Sequence, residues 1–145
     1  MTIEDLYNLA DDDGIVVEHQ LIGHPALSVE WENGAICIDP SQINSEAEYK
    51  DVLAHELGHC ETKAFYHHHS PCETKARMER KAKKWEILHL VPLEDLREKV
   101  EEHRDIWEIA DFFGVPEKLV REAFEFYERR DLCPVQLTRP EGRKH

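Results

Sequence analysis

The sequence has few of the features that mark a membrane, secreted or nucleotide-binding protein. No apolar run approaches the roughly eighteen residues that a membrane-spanning helix needs. The first residues, MTIEDLYNLADDD, have neither the basic start nor the apolar stretch of a secretory signal. Only six glycines are present, and none forms a loop suited to holding a phosphate group. We therefore expect a cytoplasmic protein without a membrane partner.

Cysteine and positive charge are also scarce. The four cysteines (Cys37, Cys60, Cys72 and Cys133) have no spacing typical of a disulfide framework, which predicts reduced thiols. No serine or cysteine lies in a pattern that indicates a nucleophilic triad. The net charge of −13 disfavours non-specific binding to nucleic acid or to an anionic membrane, and it favours a basic segment of a protein partner.

The segment SEAEYKDVLAHELGHC is the most informative part of the chain, and it predicts a helix. Ser45 stands three residues before Glu48, a capping-box pattern, and apolar residues then recur at helical spacing. His55 and His59 are four residues apart, so their imidazoles project from the same side of the helix and suit one tetrahedral cation. Glu56 lies beside a ligand, where it can accept a proton from water bound to that cation.

This motif alone is weak evidence, because a chain this rich in histidine and glutamate would contain it by chance in roughly one shuffled version in ten. A second predicted helix supports it. That helix begins with Ser70-Pro71, again with a capping-box pattern, and it ends before Pro92. Glu79 lies on this helix and could be the third ligand, leaving a fourth position for water. Alternatively, Glu79 pairs with Lys75 or Lys83 on a solvated surface.

Together, the two segments resemble the ImmA/IrrE family of metallopeptidases. The resemblance rests on HELGH, on Glu79, Ala82 and Trp85 in the pattern E-x-x-A-x-x-W, and on the LVP sequence that ends the second helix. It extends over about residues 6–127. Lys83 and Trp85 depart from the family pattern, where many relatives have Asn and Phe.

This resemblance implies a zinc-dependent endopeptidase with one Zn²⁺ per chain. His55, His59 and Glu79 would be the metal ligands, and Glu56 the general base. Family members are bacterial or phage-borne, and the best understood cleave a helix-turn-helix repressor of a mobile element. A repressor-type transcription regulator is therefore the expected protein substrate. The alternative is a non-catalytic metal-binding regulatory protein that binds a repressor or DNA.

The predicted fold is α+β, with a zincin-like core, a small antiparallel sheet and a C-terminal helical cap. The sequence predicts a short N-terminal helix and three strands, at Gly14–Glu18, Pro25–Glu32 and Ala35–Asp39. Asn33-Gly34 predicts a type I′ hairpin turn. The resemblance implies that an edge of this sheet binds the substrate in extended form; a purely structural hairpin is the alternative.

We predict a single domain over residues 1–130, with a catalytic core over about 1–92 and a helical cap over about 93–130. Residues 131–145 are expected to be a flexible tail. Residues 106–127 have helix-turn-helix spacing, but they carry five acidic and only two basic side chains. DNA phosphates would repel such a surface, so the spacing indicates packing geometry rather than DNA binding.

Other residues, in or near the two helices predicted to carry the metal ligands, are candidates for further roles at the site. Tyr66, one residue of the run His67–His69, or His89 could donate a hydrogen bond to the oxyanion of the reaction. The histidine run, together with Cys60 and Cys72, could form a second metal site, although three adjacent residues cannot easily point at one ion. An exposed loop near the cleft is the simpler interpretation.

Overall fold

The computed structural model describes residues 1–130, which form six α-helices, three β-strands and one short 3₁₀-helix. The predicted tail, residues 131–145, lies outside the described residues. The α+β class is confirmed. In chain order the elements are α1 (Ile3–Asp12), β1 (Val16–His19), β2 (Ala26–Val29), β3 (Ala35–Ile38), the 3₁₀-helix (Pro40–Gln42), α2 (Glu46–Glu61), α3 (Cys72–Leu90), α4 (Leu93–Glu101), α5 (Ile106–Phe113) and α6 (Glu117–Arg129).

The three strands form a mixed sheet in the order β1-β3-β2. β2 and β3 are antiparallel, with Ala26 opposite Ile38, but β1 runs parallel to β3, with Val16 opposite Ala35. The prediction of an antiparallel sheet is therefore wrong for β1. Alternating apolar residues identify a strand, but they do not specify its neighbour or its direction.

The connection between β2 and β3 also differs from the predicted two-residue turn. β2 ends at Val29, and five residues separate it from β3. The residues with positive φ in this loop are Glu32 (54°) and Gly34 (120°), whereas a type I′ turn would require positive φ at both Asn33 and Gly34. A Cβ atom on Gly34 would lie 2.6 Å from the Sγ of Cys60. Gly34 therefore allows the close approach of this loop to α2.

The first structural unit covers residues 1–86 and contains α1, the sheet, α2 and most of α3. α2 packs against α1, β2 and β3. Fully buried apolar side chains form the core of this unit: Leu6, Ile36, Ile38, Leu53, Leu57 and Ala82.

Two helix starts were predicted from capping patterns. The Oγ of Ser45 accepts a hydrogen bond from the backbone N–H of Glu48 (3.1 Å), as the pattern predicts. The Glu48 carboxylate instead binds the N–H of Asn44 (2.9 Å), one residue before the predicted position. α3 begins at Cys72, one residue after the predicted start.

The second unit begins at Ile87 and includes α4, α5 and α6. Gly114, in the left-handed conformation with φ of 67°, ends α5, and Pro116 precedes α6. The hydroxyl of buried Tyr127 donates to the carbonyl oxygen of Val91 (2.8 Å). Among residues 1–130, none of the helices has the length and apolar character needed to cross a bilayer.

Candidate metal site

A close approach of α2 and α3 brings the predicted ligands together. A Cβ atom on Gly58 would lie 2.6 Å from the carbonyl oxygen of Ala82 and 3.1 Å from its Cα. Only glycine therefore allows the two helices to come this near. His59 follows Gly58 on α2, and Glu79 lies about one turn before Ala82 on α3, so the contact fixes their separation.

His55, His59 and Glu79 converge on one point. One ligand atom from each residue lies within 4.8 Å of the other two, so the group could hold a metal ion. The Nε2 of His55 is 2.7 Å from Glu79 Oε2, and the Nε2 of His59 is 3.1 Å from Glu79 Oε1. Two imidazole nitrogens and a carboxylate are a donor set that zinc accepts.

The predicted alternative for Glu79, pairing with lysines on its own helix, is not what the structure shows. The ammonium group of Lys75 donates to the carbonyl oxygen of His68 (2.8 Å). The ammonium group of Lys83 lies 2.9 Å from Glu86. Glu79 instead contacts the two imidazoles and Tyr66.

Both imidazoles are oriented by contacts at their second ring nitrogen. The Nδ1 of His59 is 2.6 Å from the carbonyl oxygen of Ala64, so Nδ1 carries the proton that it donates there. The Nδ1 of His55 is 3.3 Å from the Oε1 of Glu86, a fully buried carboxylate. Such contacts at Nδ1 leave Nε2 directed at the common point, which is the arrangement that metal-binding histidines use.

The pKa values of these groups show how strongly they interact. Burial would lower the pKa of His55, but hydrogen bonds with Glu79 and Glu86 outweigh it and raise the pKa to about 10. Burial likewise disfavours the charged form of His59, yet its contacts with Glu79 and Ala64 raise its pKa. Hydrogen bonds from His55 and then His59 hold the pKa of the Glu79 carboxyl well below its ordinary value. The carboxylate is thus ionised, and a metal ion would displace the proton that His55 donates to it.

An open cleft of about 670 Å³ gives access to this site. Glu56 lines it together with His59 and Glu79, so the structure places the predicted general base beside two of the predicted ligands. Residues 26–29, which form β2, line another part of the cleft. β2 is an edge strand of the three-stranded sheet.

Two residues that orient the histidines were not predicted as part of the site. Glu86 lies seven residues after Glu79, on the same face of α3, so helical periodicity could have identified it. The contribution of Ala64 is a backbone carbonyl, and no sequence pattern indicates it.

The other residues that the sequence suggested as site residues lie in different parts of the structure. The hydroxyl of Tyr66 donates to the Oε1 of Glu79 (2.7 Å), and His68 lines the cleft. His89 belongs to the second unit. In the described part of the chain, His55, His59 and Glu79 are the one group of three such residues close enough to share an ion.

The structure thus defines a candidate mononuclear site of two histidines and a glutamate. The family model described as the IrrE N-terminal-like domain, Peptidase M78, matches residues 10–125. The chain therefore belongs to this ImmA/IrrE family of metallopeptidases, as the resemblance implied. Neither the curated proteins nor the solved structures yield a match to the chain.

Proposed function

We propose that this chain is a zinc-dependent endopeptidase with a zincin-type catalytic arrangement. The observation that supports it most directly is the convergence of His55, His59 and Glu79 beside a cleft that Glu56 also lines. An ion held by three protein ligands keeps a position open for water or substrate, as catalytic zinc sites do. Membership of a metallopeptidase family supports the same reaction.

The residues of the chain have distinct roles in this proposal. When bound, zinc would act as a Lewis acid on the scissile carbonyl and lower the pKa of water at the site to about 7. Glu56 accepts the proton of the attacking water and delivers it to the leaving amine nitrogen. General acid–base catalysis of this kind contributes roughly 10²–10⁴ in rate. Glu86 and the carbonyl of Ala64 keep the imidazoles of His55 and His59 in the ligating orientation.

The substrate we propose is an extended segment of a repressor-type transcription regulator in the cytoplasm. β2 lines the cleft and, among residues 1–130, has no strand neighbour on its outer edge, so a peptide can add to the sheet there through backbone hydrogen bonds. The net charge of −13 favours substrate segments with basic residues. The choice of a repressor rests on the family resemblance.

The variant Glu56→Gln tests this proposal, because it removes the base while keeping the size of the side chain. With a proteome-derived peptide library as substrate and mass spectrometry as readout, the wild type with zinc should generate new peptide termini. Glu56→Gln should bind zinc normally but cleave about 10²–10⁴-fold more slowly. Glu46→Gln, an exposed change in the first turn of the same helix, is the matched control and should cleave like the wild type.

Two results would contradict the proposal. Equal cleavage by the wild type and Glu56→Gln would show that Glu56 is not the base. A zinc-loaded wild type that cleaves no peptide in the library would favour a non-catalytic metal-binding regulator.

A further inference from the structure

The loop that follows α2 contacts two of the three candidate ligands. The carbonyl oxygen of Ala64 accepts the hydrogen bond from His59 Nδ1 (2.6 Å), and two residues later the hydroxyl of Tyr66 donates to Glu79 Oε1 (2.7 Å). One short segment therefore contacts a ligand on α2 and a ligand on α3.

The backbone of this segment is itself fixed at the end of α2. The N–H of Ala64 donates to the carbonyl oxygen of His59 (2.9 Å), and the N–H of Lys63 donates to that of Cys60 (3.3 Å). Lys63 adopts a positive φ of 56°, so these bonds form a Schellman motif. His59 consequently contacts Ala64 through both its backbone and its imidazole. The loop enters the site in a defined conformation, with Tyr66 two residues beyond Ala64.

Of the three candidate ligands, Glu79 depends most on a contact with another residue to fix its side-chain conformation. The side chains of His55 and His59 are 19% and 5% exposed, whereas that of Glu79 is 42% exposed. A partly exposed glutamate loses considerable rotamer freedom when it is fixed as a ligand. The hydroxyl of Tyr66 restricts Glu79 before any ion binds, and the Tyr66 ring lies edge-to-face with His59 at a centroid distance of 6.1 Å.

We propose that Tyr66 is a positioning residue that orients Glu79 for metal binding. Because an ionised carboxylate only accepts hydrogen bonds, the phenol is the donor. Its contact with one carboxylate oxygen limits rotation of the group and leaves lone pairs of the other oxygen for the ion. Tyr66 thereby does for Glu79 what Glu86 and Ala64 do for the two histidines. This inference rests on the metal site of the proposed function.

The variant Tyr66→Phe isolates the hydroxyl, because it keeps the ring beside His59. We expect its affinity for Zn²⁺, measured at neutral pH by competition with a chromogenic chelator on protein without a histidine tag, to fall about 10–100-fold. Tyr7→Phe is the matched control: it removes a tyrosine hydroxyl that contacts Tyr49 and His19, away from the candidate ligands, and should leave the affinity unchanged.

A double variant separates positioning from a general effect on folding. If Tyr66 acts through Glu79, adding Tyr66→Phe to Glu79→Gln should cause little further loss of zinc affinity, because the carboxylate that the hydroxyl orients is already gone. A purely structural role would reduce the affinity by the same factor in both backgrounds. The visible absorption spectrum of bound Co²⁺ gives a second readout, and it should change in Tyr66→Phe but not in Tyr7→Phe.

The outcomes distinguish this inference from the proposed function. A wild type that binds no zinc would overturn both. Zinc binding by the wild type together with an affinity within about twofold in Tyr66→Phe would overturn only the role of Tyr66. That includes the case in which Tyr66→Phe slows cleavage without weakening zinc binding, because the hydroxyl would then act on the substrate and not on Glu79.

Discussion

At the scale of single residues, the missing side chain of Gly58 determines how closely α2 and α3 approach. An added Cβ would meet the backbone of Ala82 at 2.6 Å, and a backbone atom cannot move aside as a flexible side chain can. This explains why glycine is needed within the sequence HELGH at a position where helix propensity favours alanine.

Gly58→Ala should therefore destabilise the protein by about 1–3 kcal/mol through overpacking. It should also weaken zinc binding, because separating α2 from α3 moves Glu79 away from the histidines. Urea denaturation and chelator competition measure the two effects. Helix propensity alone predicts the opposite sign, a gain of about 1 kcal/mol, so a more stable variant would contradict the close approach.

A second residue-scale prediction concerns Glu61 at the end of α2. Desolvation and a hydrogen bond with Asp13 raise the pKa of Glu61 to about 7. Between the ordinary pKa of a glutamate and this value, the folded state holds a proton that the unfolded state has released, so stability falls as pH rises through this range. Glu61→Gln should flatten that decline and, at pH 8, stabilise the protein by roughly 1 kcal/mol after allowance for solvent screening.

Thermal unfolding of the wild type and Glu61→Gln from pH 5 to pH 8 checks this prediction. Glu46→Gln, an exposed change in the first turn of the same helix, should show the same pH dependence of stability as the wild type. If the stability of the wild type and of Glu61→Gln changes identically with pH, the raised pKa of Glu61 is contradicted.

The site residues differ in how far the sequence could predict them. His55 and His59 were identifiable because helical periodicity fixes two side chains four residues apart on one face. The sequence predicted the helix that carries Glu79 and the face on which Glu79 lies. Its approach to the two histidines depends on the tertiary structure. The contacts of Ala64 and Tyr66 depend on a loop conformation, which hydrophobic periodicity does not encode.

At the scale of secondary-structure elements, the end of α2 is under local strain. Lys63 adopts a left-handed conformation that costs an L-residue about 1–2 kcal/mol and that glycine adopts readily. The Schellman bonds of this helix end impose the conformation, and they direct the following loop to His59 and Glu79.

Lys63→Gly should consequently stabilise the protein by about 1 kcal/mol, measured by urea denaturation. This gain in stability is smaller than the full cost of the left-handed conformation, because glycine loses more conformational freedom on folding than lysine does. Lys63→Ala is the control, since alanine has the same difficulty with positive φ, and it should give no gain. Equal stabilisation by both variants would indicate that removal of the lysine side chain, and not the backbone conformation, is responsible.

The elements themselves show which features local sequence encodes. Apolar periodicity indicates the helices, a capping serine marks the start of α2, and all three predicted strands exist in shortened form. The sheet prediction failed where pairing is non-local, because nothing within Gly14–Glu18 specifies a parallel neighbour at Ala35–Ile38. The Asn33-Gly34 pattern predicted the wrong turn: the residues with positive φ in this loop are Glu32 and Gly34, and Gly34 lies against Cys60.

At the scale of the whole molecule, charge is distributed unevenly along the chain. Residues 1–62 contain fourteen carboxyl side chains and a single basic one, Lys50, which is buried. α3 carries most of the positive charge of the first unit, with six basic residues between Cys72 and Leu90. β2 belongs to the acidic part of the chain, which agrees with the proposed preference for basic substrate segments.

The candidate metal site depends on tertiary packing, because its ligands come from two helices and its orienting contacts come from Glu86 on α3 and from the loop after α2. Ligand sets assembled in this way couple ion binding to the folded state. The central claim, that His55, His59 and Glu79 form one zinc site, can be tested without knowledge of the substrate.

The most direct measurement is the zinc stoichiometry and affinity of the wild type, His59→Ala and Glu79→Ala, purified without a histidine tag. We predict one zinc per wild-type chain, and loss of stoichiometric binding in both variants. Wild-type affinity in Glu79→Ala would show that the third ligand is another group. Equal binding by all three proteins would contradict the metal site and the peptidase proposal that depends on it.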